Sequence, residues 1–188
     1  MNDDPKLPAL TLRLARLGDA DALAELIPLS AHALQADYYT PIQIEAALGP
    51  IFGVDRQLIA DGTYFVVEAA GRIVGCGGWS RRKTLFGGDD GRNPDDDSLL
   101  DPTRDSARVR AFFVHPEFAR RGIGRRIMSA CEDAILQAGF RDVEIVATLA
   151  GEPLYAVFGY HESERFEIPM RDGLTLPVVR MRKRLAPS

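Results

Sequence analysis

The chain has 188 residues, of which 46% are hydrophobic and 27% charged, and its formal net charge is −4. These values are ordinary for a soluble globular protein, and we expect residues 1–188 to form a single domain. The acidic balance argues against general nucleic-acid binding. The two cysteines, Cys76 and Cys131, provide neither a metal-binding spacing nor a disulfide framework. No apolar stretch reaches membrane-spanning length and no secretory signal is visible, so we expect a cytoplasmic enzyme.

The hydrophobic pattern predicts strands and helices in a mixed order. A strand over 10–15 leads into a helix capped by Asp19, and Pro41 marks the start of a second helix. A hairpin follows, with strands over 64–68 and 73–79. The remaining predicted elements are a strand over 111–114, a helix with a buried face between Ile123 and Ala138, a strand over 143–147, a short helix ending at Gly159 and two terminal strands.

A long segment over 84–106 interrupts this order. It is rich in glycine and aspartate and has few residues to bury. Loops of this length without periodicity are usually functional covers or disordered, so we interpret it as a solvated insertion near a ligand cleft. Its aspartates lack the alternating ligands and terminal glutamate of an EF-hand, so we expect no metal site.

Four arginines cluster where the helix after the strand over 111–114 begins. Arg120, Arg121, Arg125 and Arg126 surround Gly122 and Gly124. A helix N-terminus is already positive, so such a cluster is unfavourable unless an anion binds there. Free backbone N–H groups, glycines that allow close approach and flanking guanidinium groups together favour a phosphate site.

Other interpretations of this loop fit less well. No lysine and hydroxyl residue follow Gly124, as a nucleotide-binding P-loop would need. A dinucleotide fingerprint would need a glycine where Ile127 stands. A tight turn with solvated arginines stays open as the structural alternative.

In two blocks the chain resembles the GNAT superfamily of N-acetyltransferases. The first is Ala119-Arg120-Arg121-Gly122-Ile123-Gly124, preceded by Val114-His115-Pro116, and the second is Leu154-Tyr155-Ala156-Val157-Phe158-Gly159-Tyr160. The first departs from the family pattern at Ala119, where arginine or glutamine is usual. The resemblance covers nearly the whole chain and implies an α/β (α+β) fold, a mixed, mostly antiparallel sheet of about seven strands with about four helices.

The resemblance also implies a cosubstrate and a set of site residues. Acetyl-CoA would be the acyl donor, with no metal. The residues expected to bind it are Phe112, Phe113, Val114, Ala119, Arg120, Arg121, Gly122, Ile123, Gly124 and Arg125. Backbone N–H groups near 112–114 would hold the thioester carbonyl, a contribution that requires no particular side chain. Tyr155 falls on the tyrosine that protonates the departing thiolate in many members, although it could instead pack the short helix.

The resemblance assigns no general base. Some family members carry a glutamate early in the fourth strand, but Arg108 occupies the comparable position here. His115, Glu68 and Glu45 are the open candidates. Arg108 and Arg110 should share one side of the sheet and would suit a carboxylate-bearing substrate, unless they pair with the aspartate-rich loop or with solvent.

The expected reaction is direct attack of a primary amine of a small molecule on the thioester in a ternary complex. Trp79, Tyr38 and Tyr39 are candidates for the acceptor pocket, with a core position as the alternative for Trp79. Rival functions are a non-catalytic acyl-CoA sensor or interaction module and an acyltransferase for a longer acyl-CoA. We expect no nucleic-acid or membrane partner, and a homodimer is compatible with the family although no interface is defined by the sequence.

Overall fold

A computed structural model describes residues 8–91 and 98–186. Within these ranges, seven strands form one sheet in the order β1-β2-β3-β4-β5-β7-β6, flanked by five α-helices. The strands are β1 (Leu10–Leu14), β2 (Tyr64–Ala69), β3 (Arg72–Ser80), β4 (Ala107–Val114), β5 (Asp142–Thr148), β6 (His161–Pro169) and β7 (Thr175–Arg184). The helices are α1 (Ala20–Leu34), α2 (Pro41–Ala47), α3 (Arg56–Ala60), α4 (Ile123–Gln137) and α5 (Glu152–Val157).

This architecture confirms the predicted fold class. Among the seven described strands, only β4 and β5 pair in parallel, and the other neighbouring strands are antiparallel. The short helix α3 was not predicted, because its five residues are too few for a helical period to show. Its N-cap Asp55 accepts a hydrogen bond from the Leu58 amide, the usual way to satisfy a free N–H at a helix start.

Helix α4 packs on one face of the sheet. Ile123, Ile127 and Cys131 are buried, as the periodicity predicts, and Ile135 continues this face. Ala138 follows the last helical residue and is exposed. The helix starts close to the sheet because β3 has a glycine beneath it: a Cβ on Gly75 would lie 2.4 Å from Cγ2 of Ile123.

Helices α1, α2 and α3 cover the opposite face. Leu23, Leu26 and Ile27 of α1, together with Ile44 of α2 and Leu58 of α3, form a second buried cluster with the sheet. No helix in the described ranges has the length and apolar character needed to cross a membrane.

The predicted loop over 84–106 has some structure of its own. A short 3-10 turn runs over Asp89–Gly91, and Asp101 accepts hydrogen bonds from the backbone and side chain of Thr103. Residues 92–97 of this loop lie outside the described residues.

Candidate active site

Strands β4 and β5 separate part-way along their length and leave a cleft between them. Their paired residues end at Val109 and Ile145. Ala111 then adopts a left-handed φ of 60°, and the register between β3 and β4 shifts at the same place. The fully buried Tyr64 donates a hydrogen bond from its hydroxyl to the Ala111 carbonyl at 3.1 Å. This contact fixes the bulge that turns β4 away from β5.

The cleft connects the two faces of the sheet. Phe112 and Tyr155 belong to the cluster under α4, whereas Phe113 and Phe52 belong to the cluster under α1–α3. The residues that line the cleft include Gln35, Ile51, Phe52, Leu85, Phe86, Gly87, Arg110, Ala111, Phe112, Phe113, Ile145, Val146, Thr148, Tyr155, Ile168, Leu176 and Val178. A ligand could therefore extend from one face to the other.

At the start of α4, consecutive backbone amides have no protein partner. In the described part of the chain, the N–H groups from Arg120 to Arg125 donate to no protein acceptor, and the first amide of this region that does is Arg126, which bonds the Gly122 carbonyl. Arg120 and Gly122 both have positive φ, 61° and 79°, which curls the loop. Such an arrangement of amides at a helix N-terminus is a binding site for phosphate groups.

The arginines around this loop increase its positive potential. Arg121 lies over the Phe118 ring at 5.2 Å and Arg125 over the Phe158 ring at 5.5 Å. Neither forms an ion pair with a carboxylate among the described residues, nor does Arg120. Arg126 donates to the Leu10 carbonyl instead. The loop thus keeps the uncompensated positive charge that the sequence predicts. This charge favours an anion-binding site rather than a tight turn with solvated arginines.

The end of β4 carries backbone amides beside the cleft. The His115 amide bonds the Val74 carbonyl of β3, so by alternation the Val114 amide points to the opposite side. The Val114 amide donates to Oγ of Ser30 on α1 at 3.1 Å. Phe112 lies next to the bulge at Ala111, at the point where β5 has moved away from β4.

Tyr155 stands at the junction of these features. It is only 6% exposed, and its ring meets those of Phe112 and Tyr160 edge-on at 6.0 and 6.3 Å. Its hydroxyl makes no hydrogen bond to another described residue, unlike that of Tyr39. Burial, with a smaller contribution from Cys131, raises the pKa of the Tyr155 phenol above its ordinary value of 10.0. The hydroxyl is therefore a proton donor over the physiological pH range.

Both arginines of β4 have carboxylate partners within the protein. Arg108 pairs with the buried Glu144 of β5 at 2.6 Å, and Glu144 also receives Arg182 at 2.9 Å. Arg110 is 8% exposed and pairs with Asp55 at 2.7 Å. Each guanidinium group therefore already has a carboxylate counter-charge within the protein, which weakens its attraction for a substrate carboxylate. Only Arg110 lines the cleft.

The aromatic candidates lie in different places. Trp79 is 4% exposed and packs edge-on against Phe140 in the core under α4. Tyr39 is buried, and its hydroxyl donates to the Pro177 carbonyl and accepts from the Leu149 amide, so it ties α2 to the ends of β5 and β7. Burial raises the pKa of Tyr39 to about 12. Tyr38 is 47% exposed and, like the other two, does not line the cleft.

The three candidate bases also lie away from the cleft. His115 and Glu68 line a separate depression near β1 and α1. Glu45 is exposed and lies 3.3 Å from His32. Among the described residues, the polar side chains that reach the cleft are Gln35, Arg110, Thr148 and Tyr155, and no carboxylate or imidazole is among its lining residues.

Sequence reasoning missed several residues of the cleft. Gln35, which follows α1, donates to Oγ1 of Thr148 at 3.2 Å and so bridges helix and strand, while its own Oε1 is buried without a partner. Phe52 and Phe86 form part of the wall although they come from loops. No local pattern marks these positions, because they are defined by contacts far apart in the chain. The described residues contain no cluster of three or more metal-ligating side chains.

Comparison with known proteins agrees with this geometry. The model of the acetyltransferase (GNAT) domain matches residues 60–162, more than half of the chain. The chain belongs to the GNAT acetyltransferase family. It is therefore an acyltransferase. A search of curated proteins found no match.

Solved structures with the same fold cover nearly the whole chain. A GCN5-related N-acetyltransferase from Rhodopseudomonas palustris is 22% identical, with a TM-score of 0.68 over 96% of this chain and 97% of that one. The PaiA N-acetyltransferase from Thermoplasma acidophilum, solved with coenzyme A, is 12% identical, with a TM-score of 0.65 over 94% and 99%. The putative acetyltransferase YncA from Salmonella typhimurium, solved with acetyl-CoA, is 18% identical, with a TM-score of 0.62 over 96% of both.

Proposed function

We propose that this protein is an acetyl-CoA-dependent N-acetyltransferase that acetylates a primary amine of a small molecule in a ternary complex. The observation that carries the proposal is the run of amides from Arg120 to Arg125, which have no acceptor among the described residues and lie next to a cleft that contains Tyr155. We further infer that residues 1–188 form one GNAT domain, since both core clusters lie on the faces of a single sheet.

The segment from Arg120 to Arg125, which we call the amide loop, fits the pyrophosphate of coenzyme A. Its N–H groups supply donors at the positive end of α4, and Arg120, Arg121 and Arg125 supply charge without carboxylate partners among the described residues. Ala119 replaces a usual arginine or glutamine, but the amide donors do not depend on that side chain. Ile123 is buried against Gly75 and anchors the loop from below. Gly124 fits against Leu154, whose Cδ2 would lie 2.9 Å from an added Cβ.

The end of β4 would orient the acyl group. Acetyl-CoA supplies an acetyl group activated as a thioester. The Phe112 amide, which lies beside the gap, would donate to the thioester carbonyl oxygen and stabilise the negative charge that develops there. Phe113 and Val114 follow in β4, with Phe113 packed in the core cluster under α1–α3 and Val114 against the cluster under α4. The bulge at Ala111 positions this amide, and Tyr64 holds the bulge.

Tyr155 would supply the proton for the departing sulfur. Tyr155 lines the cleft, and its hydroxyl makes no hydrogen bond to another described residue. Because burial raises its pKa, the phenol stays protonated while a thiol of pKa about 8.5 leaves as the thiolate. A sensor that only binds acyl-CoA would not need a proton donor at this position.

The experiment has two arms. Calorimetric titration with coenzyme A measures binding, and thiol release from acetyl-CoA with an amine panel measures transfer. We expect micromolar or tighter binding and amine-dependent thiol release, with release reduced and binding retained in Tyr155→Phe. Binding of coenzyme A without thiol release for any amine would favour a non-catalytic acyl-CoA sensor. Faster thiol release from a longer acyl-CoA than from acetyl-CoA would favour an acyltransferase for the longer acyl group.

A further inference from the structure

On the basis of the proposed function, we infer that the acceptor amine is carried on an apolar body that packs against the phenylalanine-rich wall of the cleft on the α1–α3 face. The amide loop, Phe112 and Tyr155 all lie on the face of the sheet that α4 covers. The acyl end of the donor therefore enters the gap from that side. The opposite side of the gap is left for the acceptor.

This acceptor side is apolar. Phe52, Phe113, Ile168, Leu176 and Val178 line it, and each is at most 7% exposed. The rings of Phe52 and Phe113 meet edge-on at 6.0 Å and form one continuous aromatic surface. Side chains this buried have little freedom to move aside for a hydrated, charged ligand.

The wall is completed by a loop segment that Arg110 fastens in place. The Arg110 guanidinium donates to the carbonyls of Thr84 and Gly87, the residues that flank Leu85 and Phe86. It also pairs with Asp55. Leu85 and Phe86 are thereby held over the cleft, so Arg110 acts as a positioning residue for this wall.

The charges near the wall are balanced within the protein. Arg110 is neutralised by Asp55, and further along the same segment Asp89 pairs with Arg56 at 2.7 Å. These pairs leave little net charge beside the wall, so neither an acidic nor a polycationic acceptor meets a strong field of the opposite sign. An apolar environment also disfavours the ammonium form of an amine, which lowers its pKa on entry and favours the neutral nucleophile that the reaction requires.

The test compares 2-phenylethylamine with ethylamine, which share the aminoethyl group and differ by a ring. Burying the ring should raise kcat/KM about 10- to 100-fold. Spermidine, glutamate and a short peptide with an alanine N-terminus complete the panel, each with acetyl-CoA. Phe86→Asp should lower the preference for 2-phenylethylamine at least tenfold, and Phe86→Ala should lower it by a smaller factor. Leu17→Asp, at an exposed apolar position just before α1, should leave it unchanged.

The outcomes separate this inference from the proposed function. Faster turnover of spermidine, glutamate or the peptide would overturn the apolar acceptor and leave acetyl transfer intact. Faster turnover with hexanoyl-CoA, accompanied by a loss of the ring preference, would assign the wall to the acyl chain and also overturn it. If no amine releases thiol, the proposed function fails, and titration of 2-phenylethylamine into the coenzyme A complex still decides the inference. Binding that Phe86→Asp weakens would support it, and no binding would overturn it.

Discussion

Substituting Gly122 by valine tests whether the α4 loop is built to bind phosphate. Gly122 has φ of 79° and is exposed, and an added Cβ would meet nothing within 4 Å. The substitution therefore causes no clash, and its cost is the left-handed backbone itself, about 1–2 kcal/mol and more for a β-branched side chain. For a chain of this length, each kcal/mol corresponds to a Tm change of about 2–4 °C, so 1–2 kcal/mol gives about 2–8 °C and we expect valine to lie at or above the upper end of this range.

The effect on coenzyme A binding should be larger than this strain suggests. Valine at position 122 favours a backbone conformation outside the left-handed region. This change turns at least one N–H group of the amide loop away from the phosphates. A hydrogen bond to a charged group contributes about 1.5–3 kcal/mol, so coenzyme A should bind about 10- to 100-fold more weakly. Isothermal titration calorimetry measures this directly.

Gly62 provides the matched control. It has φ of 69°, and a Cβ added there would also meet nothing within 4 Å, but it follows α3 and lies outside the amide loop. Gly62→Val should therefore lower Tm by a similar amount and leave coenzyme A affinity unchanged. Wild-type affinity in Gly122→Val, or an equal loss of affinity in both variants, would refute the assignment of the loop.

Three further predictions concern the catalytic proton, the bulge and stability at low pH. Tyr155→Phe should lower kcat about 100-fold or more with little change in coenzyme A affinity. Since burial raises the pKa of Tyr155 above 10.0, the rate of the wild-type enzyme should not fall below pH 10.0 through loss of the Tyr155 proton. A fall in rate below pH 10.0 that Tyr155→Phe abolishes would contradict the role of Tyr155. Tyr64→Phe leaves the Ala111 carbonyl without the Tyr64 hydroxyl as donor, so the free energy of unfolding measured by calorimetry should fall by about 1–3 kcal/mol. The value of kcat should also fall. An unchanged kcat would mean that the bulge does not depend on this contact. Arg13 lowers the pKa of Asp19 below 3.8, so the stability that ionised Asp19 contributes is complete above 3.8 and is lost as pH falls through the folded-state pKa. Urea unfolding should thus show a constant difference between wild type and Asp19→Asn from about pH 6 to pH 8 that shrinks below pH 3.8, and a difference that grows in acid would contradict the pairing.

The start of α4 and the short helix that carries Tyr155 could be predicted from sequence because their signals are local. The buried face of α4 repeats with the helical period, and the glycines and arginines of the loop are adjacent in the chain. The second block places Tyr155 on α5, a short helix that directly follows β5. Contacts within about a dozen residues of sequence determine all of these features.

The cleft wall and the core position of Trp79 could not be predicted in the same way because the contacting residues are distant in sequence. Nothing near Ala111 indicates a left-handed residue in a strand, since the donor that holds it is Tyr64 on β2. Arg110 resembles a free substrate ligand until the fold brings Asp55 and the 84–87 carbonyls to it. The role of Trp79 depends on Phe140, which packs against it from beyond α4.

The most direct test of acetyl transfer at this cleft is mass spectrometry of 2-phenylethylamine incubated with acetyl-CoA and the protein, combined with quantification of free thiol. We predict that N-acetylated amine and free coenzyme A appear in equal amounts, and that Tyr155→Phe slows both together. Free thiol without acetylated amine would contradict acetyl transfer at this cleft, and so would the absence of both products, with acetyl-CoA bound, for this amine and for every other amine of the panel.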